Sequence, residues 1–100
     1  MRVRIDFSLF ASPQDAFGNV NGFIEIPSVP QVGDHMMLGG HEFRVERVEP
    51  FDFAHINHPN AKGIMVGLDD VVLASRSEAK EFADRVERET EGELMCDEYE

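Results

Sequence analysis

Hydrophobic and polar residues alternate strictly at the start of the chain. Val3, Ile5, Phe7 and Leu9 fall on one side, and Arg2, Arg4, Asp6 and Ser8 on the other. A period of two marks a strand with one dry and one wet face, so residues 2–10 are predicted to be a half-buried β-strand. The same period returns between Val32 and Val48. There Met36 and Leu38 alternate on one arm, Phe43 and Val45 on the other, with Gly39-Gly40 between them. A two-residue turn of the primed type needs positive φ, which glycine adopts at little steric cost, so the pattern predicts a β-hairpin closed at these glycines. In that register Leu38 faces His41, Met36 faces Phe43 and Asp34 faces Val45. His35, Met37, Glu42 and Arg44 are left on a polar face. After Val45 the period slips, since Val48 follows by three residues. A β-bulge, or a strand crossing between sheets, accounts for the slip.

The other elements follow from punctuation. Residues 11–22, ASPQDAFGNVNG, are rich in Ser, Pro, Asp, Asn and Gly and read as a loop. Phe23–Ile26 is a second strand, ended by Pro27, and Pro27–Pro30 is stiff and extended. Residues 49–63 make a long stretch to leave structureless. Phe51 and Phe53 are expected to continue the bent strand past Pro50, with a turn near 57–60. Ile64, Val66 and Leu68 mark the next strand, Asp69-Asp70 its end, and Val71–Leu73 a short last one. Ser75 and Glu78 then have capping-box spacing, with Ser77 as a rival cap. Ala79, Phe82, Ala83 and Val86 recur at helical spacing, so a helix is predicted over about 76–91, supported by Glu81–Arg85 and Asp84–Arg88 at i, i+4 and stopped at Gly92. Residues 92–100 read as an acidic, flexible tail in which Leu94, Met95 and Tyr99 are available to a partner.

These elements predict a mainly β fold with one C-terminal helix: a small, partly open antiparallel barrel of five to six strands, forming one domain over residues 1–91. The run P-x-V-G-D-x-M-x-L-x-G-x-x-F-x-V-x-x-V, from Pro30 to Val48, resembles the strand–turn–strand of SH3-like small β-barrels, a stretch found in many uncharacterised bacterial and phage proteins. The resemblance covers about a fifth of the chain and implies a fold, with no functional residues attached.

Charge narrows the partners. Twenty acids face nine bases, a net −11, and residues 71–100 alone hold ten acids against four bases. Such a field repels phosphate backbones, which disfavours nucleic acid, and it suits either plain solubility or a basic protein partner. The single Cys96 allows no intramolecular disulfide. Alternation beginning at Arg2 is unlike a signal peptide, and no run approaches the roughly 18 apolar residues of a membrane span, so a cytoplasmic protein without membrane contact is expected.

Candidate chemistry is thin. His55-x-x-His58, with His35 and Asp52, offers imidazole and carboxylate donors of the kind zinc takes, with His41 and further aspartates as additional donors, but the spacing matches no established zinc pattern. Cys96 sits among Asp97, Glu98 and Glu100, which disfavour a thiolate, and there is no G-x-S-x-G, P-loop or G-x-G-x-x-G. No cofactor is expected, and an enzyme is the less favoured reading, one that would need two or three of these His and Asp side chains to converge in one cleft. Two surfaces remain: an aromatic patch of Phe51, Phe53 and Ile56, extended by Phe10 and Phe17, and the polar hairpin face with His35, Met37, Glu42 and Arg44. The competing reading of the patch is that a chain with no Trp needs its eight Phe in the core. The expected function is a non-enzymatic protein-binding or assembly module; the alternative is a small metal- or ligand-binding protein using the turn histidines. The oligomeric state is left open.

Overall fold

In the computed structural model, which describes residues 2–52 and 62–99 with residues 51, 52 and 62 given by their backbone, the opening alternation becomes the central strand. Strand β1 (Arg2–Ser12) is followed by β2 (Asp15–Glu25), β3 (His35–Leu38), β4 (His41–Asp52), β5 (Lys62–Leu68) and β6 (Val71–Val72). Helix α1 (Arg76–Glu89) and β7 (Leu94–Glu98) complete the order. The sheet runs β3-β4-β5-β1-β2-β7, with β6 also bonded to β1. It curls into an open half-barrel, mainly β with one helix near the C-terminal end. Four of the six pairings are antiparallel; β1 with β5 and β1 with β6 are parallel. Three strands intervene between β1 and β5, which gives the chain the long crossover a parallel pair requires.

The hairpin has the predicted register: Met36 pairs with Phe43, and Leu38 with His41. Its turn residues Gly39 and Gly40 sit at φ 59° and 79°. Gly39 is needed twice over, since a Cβ there would also lie 2.8 Å from the Val86 side chain of α1. The helix is tied to the same turn by Arg85 Nη1, which donates to the Gly39 carbonyl at 3.2 Å. The slipped period after Val45 is a register irregularity between Val45 and Arg47, and β4 changes partner there, from β3 to β5. The bulge lets one strand serve two neighbours.

Two stretches differ from the sequence-based expectation. Residues 11–22 do not form a loop: β2 begins at Asp15 and pairs with β1 from Ser12↔Asp15 to Arg2↔Glu25. The residues that resemble loop residues answer to β7. A Cβ at Gly18 would lie 2.7 Å from the Asp97 carbonyl oxygen, and one at Gly22 would lie 1.9 Å from that of Glu93. Only glycine lets the neighbouring backbone come that close. The second difference is the acidic end, where a flexible tail was predicted over 92–100. Leu94–Glu98 is strand β7, antiparallel to β2, and Leu94 is fully buried in the core. Helix α1 starts as expected, with Ser75 Oγ accepting from the Glu78 N–H at 3.1 Å while the Glu78 carboxylate accepts from Ala74 N–H at 3.2 Å. Its buried stripe is Ala79, Phe82, Ala83 and Val86. Past the helix, Thr90 Oγ1 donates to the Val86 carbonyl at 2.9 Å and accepts from the Leu94 N–H at 3.1 Å, which turns the chain into β7.

Leu94 gives a direct check. Removing a fully buried leucine side chain costs about 2–5 kcal/mol, so Leu94→Ala should lower the unfolding free energy in urea by that amount. A loss within about 0.5 kcal/mol, as for ordinary surface positions, would return this segment to a flexible tail.

Candidate functional site

The polar face of the hairpin is assembled as its alternation requires. His35 pairs with Arg44 and Met37 with Glu42 across β3 and β4, and all four side chains are exposed. His35 Nδ1 lies 2.9 Å from Glu42 Oε1. Met37 is 61% exposed. Among the described residues β3 is an end strand of the sheet.

A groove of about 390 Å³ adjoins β3, lined by Ile26, Pro27, Ser28, Val29, Pro30 and residues 34–36. Its shape is fixed by backbone bonds rather than by bulk. The Asp34 carboxylate accepts from the Gln31 N–H at 2.8 Å, Asp34 N–H donates to Gln31 at 2.9 Å, and Gly33 N–H donates to Val45 at 2.8 Å. The chain bends at Pro27 and Ser28, where an extended run is expected from sequence, and the prolines fix φ and remove N–H groups that would otherwise need partners. Val29 and Val32, 36% and 62% exposed, add apolar surface on this connection. Asp69 secures the other flank of β4, its Oδ1 accepting from the Arg44 N–H at 2.8 Å. Asp34 and Asp69 therefore act as turn locks.

The remaining sequence candidates separate. Phe53, Ile56, His55 and His58 lie outside the described residues. The backbone of Phe51 and Asp52 ends β4, so the strand does continue past Pro50 as expected. Phe17 is no surface extension: it is buried at 3% exposure, with the Arg76 guanidinium 5.2 Å from its ring centroid. His41 packs edge-on to Phe43 with centroids 4.7 Å apart. Among the described residues no three His, Cys, Asp or Glu side chains are placed to share a metal ion.

One polar constellation is not legible in the sequence, where its residues resemble a loop. On the outer face, Asn19 Nδ2 donates to Asp6 Oδ1 at 2.7 Å and to Ser8 Oγ at 3.4 Å. Asn21 Nδ2 donates to Asn19 Oδ1 at 2.9 Å and to Asp97 Oδ2 at 3.3 Å. The network stitches β1, β2 and β7 together. Its signal is the alternation of Asn19 and Asn21 around Val20, which becomes legible only once β2 is seen as a strand. Each amide donates within the network, so its chemistry is structural cross-linking.

Cys96, half-buried on β7, is the sole cysteine. Burial, then the Glu98 and Asp97 carboxylates, push its thiol up to about 11. A nucleophilic cysteine needs the opposite environment. No family model matches the chain, and neither the curated proteins nor the solved structures hold a match to it.

The raised thiol has two consequences. The rate of iodoacetamide alkylation in the folded protein should keep climbing to about pH 11 rather than levelling off near the ordinary 9.0. Between those values an unfolded chain loses the thiol proton before the folded one does, so this contribution to stability, complete below pH 9.0, fades as pH rises. A plateau in the alkylation rate near pH 9.0 would show an ordinary thiol instead.

Proposed function

We propose that the chain is a non-enzymatic protein-binding or assembly module that presents the β3 edge and the adjoining groove to a partner protein. One observation carries this reading: an end strand of the sheet lies beside a preformed groove of about 390 Å³, with Met37 and Val32 each more than 60% exposed. An end strand offers unpaired N–H and C=O groups to an added strand, and apolar side chains beside it supply contact area. The groove walls are held by Asp34 and the two prolines, so little order has to be gained on binding. The likeness of Pro30–Val48 to SH3-like barrels agrees with a binding scaffold without naming the partner. Several described acids serve as turn locks, caps and ion pairs, as in Asp34, Glu78 and Asp15. A cytoplasmic setting suits the reading, since the sole cysteine calls for no disulfide partner. The alternative, a small metal- or ligand-binding protein, rests on His55 and His58, which lie outside the described residues, with His35 and Asp52.

The test is a photo-crosslinking residue placed at Met37, at Val32 or, as a control, at exposed Ser77 near the start of α1, where Arg76 bonds to Asp15 of β2, each in the full chain exposed to its native lysate. Positions 37 and 32 should give the same discrete covalent adduct and position 77 should not. Met37→Glu should remove the adduct formed through position 32. Equal adducts from all three positions, or none from 37 and 32, would overturn the reading.

A further inference from the structure

The far end of the sheet is a second open edge with a different character. β7 pairs with β2 on one side and, among the described residues, with no strand on the other. Its bonding parity is fixed at the end of the ladder, where Tyr99 N–H donates to the Phe17 carbonyl at 2.9 Å. In an antiparallel ladder alternate residues bond to the same neighbour, so residues 95, 97 and 99 face β2. The N–H and C=O groups of Cys96 and Glu98 therefore face the open edge, while the Leu94 N–H is taken by Thr90. Side chains alternate independently. Leu94 is buried, whereas Met95 and Tyr99 are 54% and 46% exposed on the outer face.

Charge decides what can add to this edge. Glu93, Asp97 and Glu98 lie on or beside β7, and Lys80 already bridges Asp84 at 3.2 Å and Glu98 at 3.9 Å. A second copy of the strand would bring two carboxylate-bearing strands together, and the crowding of like charge opposes that pairing. At the start of β7 a cleft of about 360 Å³ has Ile24 and Leu38 among its lining residues, with Glu25, Glu89, Glu91 and Glu93 around them. An apolar floor under a carboxylate rim suits the methylene stem and charged head of a lysine or arginine.

We infer that the β7 edge accepts an extended, Lys/Arg-bearing segment of a partner protein as an added strand, with one basic side chain seated in the cleft at the strand's start. Backbone bonds to Cys96 and Glu98 set the register, Met95 and Tyr99 cover the apolar positions, and the carboxylates select the sign of the charge. The β7 edge lies at the other end of the sheet order from β3, and the cleft at its start borrows from β3 only Leu38, whose buried side chain lies on the opposite face of that strand from exposed Met37.

The probe is a fluorescein-labelled heptapeptide, Lys-Val-Lys-Val-Lys-Val-Lys, followed by anisotropy with the full chain. Three controls accompany it: a Glu-Val counterpart, a copy with alternate backbone nitrogens methylated, and the conservative double variant Asp97→Asn, Glu98→Gln. The basic peptide should bind more tightly at low salt, the Glu-Val peptide should not bind, and both methylation and the double variant should weaken binding about tenfold. Amide exchange at Cys96 and Glu98 should slow when the basic peptide is added. Met37→Glu should leave this binding unchanged, so the β3 reading and this one fail separately. No binding overturns the inference. Equal binding of the methylated peptide does so as well, because it would reveal charge attraction without strand addition. Sedimentation showing dimers that the double variant strengthens would assign the edge to a second copy instead.

Discussion

Strand β1 is bonded on both flanks, antiparallel to β2 along its length and parallel to β5 and then β6 on its other side. Every other part of the molecule hangs on that position. Its inner row, Val3, Ile5, Phe7 and Leu9, is at most 2% exposed. Burial of such side chains is worth about 1.5–3 kcal/mol each relative to exposure. The row is covered through a chain of rings, Phe7 to Phe43 at 4.4 Å and Phe43 to Phe82 at 6.2 Å, which joins β1, the hairpin and α1. A polar residue on that row would leave the helix and the hairpin without a common floor.

The legibility of each element follows from how local its cause is. The hairpin was readable to the residue, because its register depends on the turn glycines and on side-chain alternation a few positions away. The helix was readable for the same reason: cap, stripe and stop all lie within its own stretch. The bulge after Val45 showed as a broken period. What the sequence did not reveal depends on a partner strand far along the chain. Gly18 and Gly22 resemble loop residues until β7, more than 70 positions later, is placed against them, at Gly18↔Glu98 and Gly22↔Leu94. The acids of β7 in turn resemble a solvated tail until Leu94 is seen in the core.

The candidate site was legible in part for the same reason. His35, Met37, Glu42 and Arg44 were placed together on one face by alternation alone. The groove beside them was not, because its walls come from the Pro27–Pro30 connection and from Asp34 folding back on Gln31. The Asn19–Asn21 network likewise needs three strands before it exists. Composition pointed to an acidic surface but not to its address, and β7 is where much of that charge meets an open strand.

An open half-barrel must manage two ends of a sheet, and unprotected ends invite aggregation. The two ends here are guarded differently. β3 is four residues long, and a short strand offers few bonds to a stray partner. β7 is flanked by carboxylates, which repel copies of itself. Guarding alone would favour charge throughout, with no large apolar side chain left outside. Instead Met37 and Val32 stand near one end and Met95 and Tyr99 at the other, all four at least 46% exposed. Retaining apolar contact beside a guarded strand discriminates among partners, since the guard removes the wrong ones while the apolar residues reward the right one. The two docking surfaces proposed above rest on that combination of guarded backbone and exposed apolar side chains.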